Sequence, residues 1–241
     1  MTSAAAAWQD VECGGYSADL EAWEELAASA DGPILELGGG TGRVSLHLAR
    51  RGHELWTVDA DAELVAAAAS RSKTEELPVH ALQKDITDLR IDRTFDLAIA
   101  PMHVIQMLGG PDVRADVLRG VAAHLAPGGR FAAAIVDGMP ADLESGTPPL
   151  PDVREIDGWM YSSLPVDFAT EDDRLDLRRI RQAVSPDGDL SEAEHIDSLW
   201  LLGAEELEAE AEAAGMRALD RILVPPAGGY IGSTVVVMER P

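Results

Sequence analysis

The sequence predicts an α/β fold: a doubly wound, largely parallel seven-stranded sheet with an antiparallel β-meander inserted after strand 5. Three observations carry this expectation. Short apolar runs alternate with helix-like stretches from residue 20 to about 137. Three longer strand-like runs then follow with no helix between them. The chain closes with one helical stretch and two more apolar runs. At 241 residues and 46% hydrophobic content, the chain is one large domain or one domain with a substantial insertion.

The elements are legible in order. SADLEAWEELAASA (17–30) reads as a helix with Ser17 as its N-cap, and Asp31-Gly32-Pro33 turns the chain into the short strand ILEL (34–37). After a glycine cluster, RVSLHLARRG is a helix stopped by Gly52, and ELWTVD (54–59) is a second strand. ADAELVAAAAS is a helix capped by Asp61, VHALQKD (79–85) a third strand and TFDLAIAP (94–101) a fourth. The fourth is nearly all apolar, as a strand buried on both faces should be. DVRADVLRGVAAHLA (112–126) has helical spacing, and Pro127-Gly128-Gly129 turns it into the fifth strand, RFAAAIVD.

The proline-rich connector MPADLESGTPPLPD follows, and then strand candidates at 153–164, 174–184 and 192–202. SPDGDL between the last two is a hairpin turn. AEELEAEAEAAG (204–215) is a helix ending at Gly215, and ALDRILVP (218–225) and STVVVMER (233–240) are the closing strands.

Composition narrows the function. A net charge of -24, from 43 acids against 19 bases, repels polyanions and argues against nucleic acid or an anionic membrane as partner. No apolar run has the length of a membrane span, and MTSAAAAWQD lacks a signal-peptide pattern, so a soluble cytoplasmic protein is expected. The single cysteine, Cys13, cannot form an internal disulfide. The six histidines show no metal-ligand spacing, so no metal site is expected.

The sharpest feature is ILELGGGTGRV (34–44). A phosphate loop requires lysine followed by serine or threonine after its last glycine, whereas Arg43 and Val44 stand here. The dinucleotide fingerprint requires glycines at positions one, three and six, and neither register supplies the third. What remains is Glu36-x-Gly38-x-Gly40-x-Gly42. With Asp59 closing the second strand, Asp85-Ile86 closing the third and Leu125-Ala126-Pro127-Gly128-Gly129 before the fifth, the chain resembles the class I S-adenosylmethionine-dependent methyltransferases over nearly its whole length.

That resemblance implies S-adenosyl-L-methionine as cofactor and a Rossmann-like core at 31–140. It implies a helical N-terminal lid segment at 1–30, a β insertion at 141–202 over the substrate or at a subunit interface, and a sheet-completing segment at 203–241. Bare backbone at Gly38, Gly39 and Gly40 would let the methionine and ribose parts approach closely, with N–H groups opening the following helix toward the carboxylate. Glu36 would favour the ammonium and Asp59 the paired ribose hydroxyls, with Ala60 beside it. Asp85 would accept from the adenine amino group while Ile86 packs near the ring. Pro101 would line the site and Tyr16 would reach over the cofactor.

By the strand-end rule, a small-molecule acceptor should sit beyond strands one, four and five. His103 is the candidate general base, with Asp137 a second. An in-line displacement on an activated carbon needs alignment more than a strong base, so a nitrogen or oxygen acceptor remains open. The meander resembles that of the glycine/sarcosine-type and amino-sugar N-methyltransferases, which implies substrate cover or a homodimer interface. Trp159, Tyr161, His195 and Trp200 give it aromatic and polar surface, and Arg178, Arg179 and Arg181 form a basic cluster. The competing readings are a nicotinamide-dependent oxidoreductase and a non-catalytic cofactor-binding module.

Overall fold

Nine of the elements alternate as expected through the first half of the chain, and they build one wall of the site. The computed structural model describes residues 1–137, 150–227 and 230–241. Strands β1 (Ile34–Leu37), β2 (Leu55–Asp59), β3 (Val79–Gln83), β4 (Phe95–Ala100) and β5 (Leu125–Ile135) are parallel, each reached through a helical or turn crossover. The crossover helices are α3 (Arg43–Ala49), α4 (Ala62–Thr74) and α5 (Pro111–His124). At the chain end, α6 (Ala204–Ala213) leads to β10 (Arg217–Ala218), β11 (Ile222–Val224) and β12 (Ser233–Glu239). The order is β10-β12-β5-β4-β1-β2-β3, with β12 antiparallel to β5 and β11 also paired to β12.

Alternation along β1 explains the layering. Ile34 packs on one side with Trp23, Leu48 and Val235, while Leu35 and Leu37 pack on the other with Leu118, Phe131 and Leu207. Each such side chain taken fully out of water contributes roughly 1.5–3 kcal/mol. The sheet is therefore rigid between two helical layers, and its strand ends are fixed points on which a site can be built.

The meander is a separate sheet of four strands, β6 (Asp152–Ile156), β7 (Trp159–Glu171), β8 (Arg174–Val184) and β9 (Leu190–Trp200), paired in sequence order. The stretch read as one strand at 153–164 is thus a hairpin. Asp157 (φ 52) and Gly158 (φ 83) are both left-handed, the backbone a two-residue hairpin turn demands. ALDRILVP is likewise broken, giving β10 and β11 in place of one strand and an eighth member of the main sheet. Pro127-Gly128-Gly129 lies within β5 as a bulge, where the register with β4 shifts between Phe95 and Leu97.

Two differences lie at the N-terminus. An additional helix, α1 (Ala4–Glu12), is capped by Ser3, whose side chain accepts from the Ala6 amide. The next helix, α2, starts at Leu20 rather than after Ser17, with Asp19 at the cap position. The Asp19 carboxylate is drawn instead to the Trp23 indole at 2.8 Å and to Arg43. Asp61 does cap α4, accepting from the Glu63 and Leu64 amides. The proline-rich connector lies mostly outside the described residues, as do Gly228 and Gly229 of the last loop. No helix among the described residues is long and apolar enough to cross a membrane.

Candidate active site

The loop after β1 is built from glycine because neighbouring groups fill the space a side chain would need. Gly38 and Gly40 are left-handed, at φ 62 and 55. A Cβ on Gly38 would lie 2.5 Å from the Val104 side chain, and one on Gly39 only 1.7 Å from Thr57 Oγ1. The loop thus seats directly against the ends of β2 and β4. Behind it, Glu36 is buried and accepts from the Ser45 amide at 3.1 Å and the Thr57 hydroxyl at 3.3 Å. Burial pushes the Glu36 carboxyl up to about 7, against the lowering pull of Ser45, Arg43 and Thr57. An amide near the start of α3, expected to face a ligand, is therefore engaged by Glu36 itself.

Asp59 closes β2 and latches the same loop. One carboxylate oxygen accepts from the Gly40 amide at 2.9 Å and the other from the Asp61 amide at 3.0 Å. Each oxygen retains a further lone pair, and the residue is half-exposed. Ala60 beside it is exposed. At the end of β3, Asp85 accepts from the Thr87 amide (2.9 Å) and hydroxyl (2.7 Å), which hold its carboxyl below the usual range. Ile86 packs partly against the core. Asp59, Ala60, Asp85 and Ile86 thus form an accessible shelf along the ends of β2 and β3.

The other end of the site is closed by α1, which lies within the helical N-terminal segment expected at 1–30 but whose own bounds no sequence signal marked. Gln9 packs over Gly40, so close that a Cβ there would meet its Nε2 at 2.9 Å. Asp10 accepts from Thr41 Oγ1 at 2.7 Å and pairs with Arg71, whose Nη1 also donates to the Thr41 carbonyl. What remains among Gln9, Glu36, Gly38, Gly39, Arg43 and Pro101 is a cavity of about 30 Å³, on the scale of a water molecule. Tyr16, expected over the cofactor, is buried against Tyr230 with ring centroids 4.9 Å apart, and Arg43 lies over its ring at 5.2 Å. Among the described residues its hydroxyl has no hydrogen-bond partner.

Beyond β4 the backbone is strained. Met102 and His103 are consecutive left-handed residues without glycine, at φ 54 and 64, a conformation that costs about 1–3 kcal/mol apiece and collects at functional sites. Burial holds the His103 imidazole down to about 4, so it is neutral at ordinary pH. Next to it, Gln106 is buried and makes three bonds: it donates to the Val136 and Trp200 carbonyls and accepts from the Val136 amide at 2.7 Å. This residue, unmarked by any motif, ties the ends of β4, β5 and β9 together. Asp137, the second candidate base, instead accepts from the Ala204 amide at the start of α6.

On the meander, the basic cluster is spent on acids. Arg178 lies near Asp167 and Glu194, Arg179 near Asp152 and Asp197, and Arg181 pairs with Glu12 at 2.6 Å. All three arginines of this cluster are thus engaged with neighbouring carboxylates. Trp200 packs at Gly110 with Arg174 over its ring at 4.7 Å. Trp159, Tyr161 and His195 share the inner face of the sheet, toward α1.

Comparison with known proteins agrees with this geometry. Residues 34–129 match the family described as methyltransferase domain. The cypemycin N-terminal methyltransferase of a Streptomyces species is 34% identical over 113 residues, which span 46% of this chain and 45% of that protein. The chain thus spans under half the length of that relative. Among solved structures, a sugar N-methyltransferase of a Streptoalloteichus species gives a TM-score of 0.73 at 22% identity, covering 98% of this chain and 93% of its own. An amino pentose methyltransferase of Micromonospora echinaspora, solved with S-adenosylmethionine bound, gives 0.70 at 20% identity, covering 98% and 95%. An S-adenosylmethionine-dependent methyltransferase of Clostridium acetobutylicum gives 0.74 at 17%, covering 97% and 96%. At these identities the likeness establishes a shared fold.

Proposed function

We propose that this chain, whose residues 34–129 are a methyltransferase domain within a class I methyltransferase fold, transfers a methyl group from S-adenosylmethionine to a nitrogen of a small-molecule acceptor. One observation carries the reading: a glycine loop too tight for side chains is latched to the strand-end carboxylate Asp59 through the Gly40 amide. That is a cradle for a nucleoside with hydroxyls, without the lysine a phosphate loop requires, and the neighbouring Arg43 is paired with Asp19. The nicotinamide reading is not favoured, because the packing glycine at its sixth position is absent.

The bound cofactor supplies a methyl group on a sulfonium, already activated for in-line displacement. The chain's part is to hold and align. Asp59 keeps acceptor capacity for the ribose hydroxyls, and Asp85 with Ile86 offers one acceptor and an apolar surface for the base. Glu36 would hold the ammonium as a carboxylate, since a cation beside it would favour its ionised form. Pro101 and the Gly38–Gly40 backbone form the near wall, and Tyr16 stands behind Arg43. The chemistry of the donor set fits the cofactor, while the small cavity at the loop requires Gln9 to leave Gly40.

A nitrogen acceptor is preferred to oxygen, and burial, which disfavours the charged form of the His103 imidazole, is in keeping with a reaction that needs no strong base there. The relatives described above as N-terminal, sugar N- and amino pentose methyltransferases are in keeping with this choice. A homodimer through the meander and a cytoplasmic location belong to the same proposal. The dimer is supported by the exposed Val153, Met160, Val166 and Ile196 on the outer side of that sheet. The enzyme reading is tested by thermal shift. S-adenosylhomocysteine should raise the melting temperature and NAD(P) should not; stabilisation by NAD(P) alone would overturn it.

A further inference from the structure

The inserted meander begins beyond β5 and ends with β9. Val136 follows the last residue of β5, and Trp200 is the last residue of β9. One buried side chain holds both places. Gln106 Oε1 accepts from the Val136 amide at 2.7 Å, while Nε2 donates to the Val136 carbonyl at 3.1 Å and to the Trp200 carbonyl at 3.0 Å. A primary amide has two N–H donors and one acceptor oxygen, and all three are engaged here. The exchange with Val136 copies the two-bond pairing of antiparallel strands, and the second N–H is left to cross to Trp200. Glutamate would lose both donors, and methionine all three bonds.

The same short element bears on the glycine loop. Gln106 belongs to a 3-10 helix, Val104–Met107, that follows β4. Its first residue, Val104, closes against Gly38, so near that a Cβ there would stand 2.5 Å from a Val104 methyl. The His103 carbonyl accepts from the Gln106 amide at 2.9 Å and the Met107 amide at 3.3 Å, which fixes the helix to the left-handed pair before it. Pro101 and Met102 line the small cavity at the loop, together with Gly38. A ligand larger than that cavity must displace its walls, and these three walls touch this helix or run directly into it.

We propose that Gln106 is a positioning residue that clamps both ends of the meander to the wall of the cofactor cavity, so that filling the cavity tightens the end of the meander. The proposal rests on the methyl-transfer reading for the identity of that ligand. A second route from loop to meander runs through α1. Gln9 covers Gly40, and Glu12 bonds to Ser163 of β7 and Arg181 of β8. The two routes meet different strands, α1 at β7 and β8, Gln106 at the end of β9. The peptide joining Trp200 to Leu201 separates them. Its carbonyl accepts from Gln106, and its N–H donates to the Asp173 carbonyl at 2.7 Å.

The test is amide hydrogen exchange at Leu201, followed by NMR on the full chain with and without saturating S-adenosylhomocysteine. In the unmodified chain the ligand should slow Leu201 by about fivefold or more. That slowing is counted beyond any change at the buried Ile99 amide of β4, which reports global opening. Gln106→Met should still bind the ligand, with the Leu201 rate then unchanged by it. Val104→Ala, a milder change at a half-buried residue, cuts the contact with Gly38 and keeps all three Gln106 bonds. It too should abolish the slowing, and should Gln106→Met fail to fold, Val104→Ala alone decides. A role of Gln106 in folding only would speed Leu201 equally with and without ligand, and the slowing would survive. Slowing that survives in the variants would overturn the proposal, as would ligand binding to the unmodified chain with no slowing. No binding of S-adenosylhomocysteine to the unmodified chain would instead overturn the methyl-transfer reading, and the proposal with it.

Discussion

Glu36 is a carboxyl group kept out of water with two neutral donors against it and, among the described residues, no cation bonded to it. Its pKa rises from 4.5 to about 7 through burial, so the folded chain keeps a proton that the unfolded chain releases across that interval. The sign follows: ionising Glu36 lowers stability progressively as pH rises from about 4.5 to about 7, and the loss is constant above. Glu36→Gln, which cannot ionise, should therefore melt above the parent chain near pH 8 and match it near pH 5. Affinity for S-adenosylhomocysteine should rise from about pH 6 to pH 8 in the parent and stay flat in the variant, because a bound ammonium favours the carboxylate. Parallel pH profiles in calorimetry would refute a link between Glu36 and that ammonium. The residue's presence before the glycines was legible; its burial, which makes it a pH-sensitive group, depends on Thr57 and Ser45 closing over it.

At the scale of elements, legibility follows the strength of local signals. Strands β1 to β4 were bounded within about two residues because glycine, proline and aspartate punctuate continuous apolar runs. The bounds of α1 are not legible although Ser3 before four alanines is a helix start, since a run of alanines marks no helical period. The Asp157-Gly158 hairpin carried its usual signal inside what looked like one long strand. Gln106 and the left-handed Met102-His103 pair could not be read, since only tertiary contacts reveal them. The meander carries its own prediction. Its outer face exposes apolar residues with no covering element among the described residues, so the chain should sediment at twice its mass, and Ile196→Asp should shift it to the mass of one chain with S-adenosylhomocysteine affinity intact. A monomeric parent chain at micromolar concentration would contradict the dimer.

For the molecule as a whole, the division of labour is spatial. A rigid parallel sheet carries the glycine loop and both strand-end acids, and α1 lies between that loop and an aromatic cleft on the meander. The pairings Asp10–Arg71, Glu12–Arg181 and Gln106 with Trp200 hold these parts in one arrangement. The sequence located the cradle but not the helix over it, because the cradle is written in contiguous residues and the closure in pairs up to 169 positions apart. The most direct measurement is a calorimetric titration of S-adenosylhomocysteine into the chain and into Asp59→Ala. One site per chain, weakened by about tenfold or more in the variant, is the expected result. No binding by the unmodified chain, or equal affinity in both, would contradict the account.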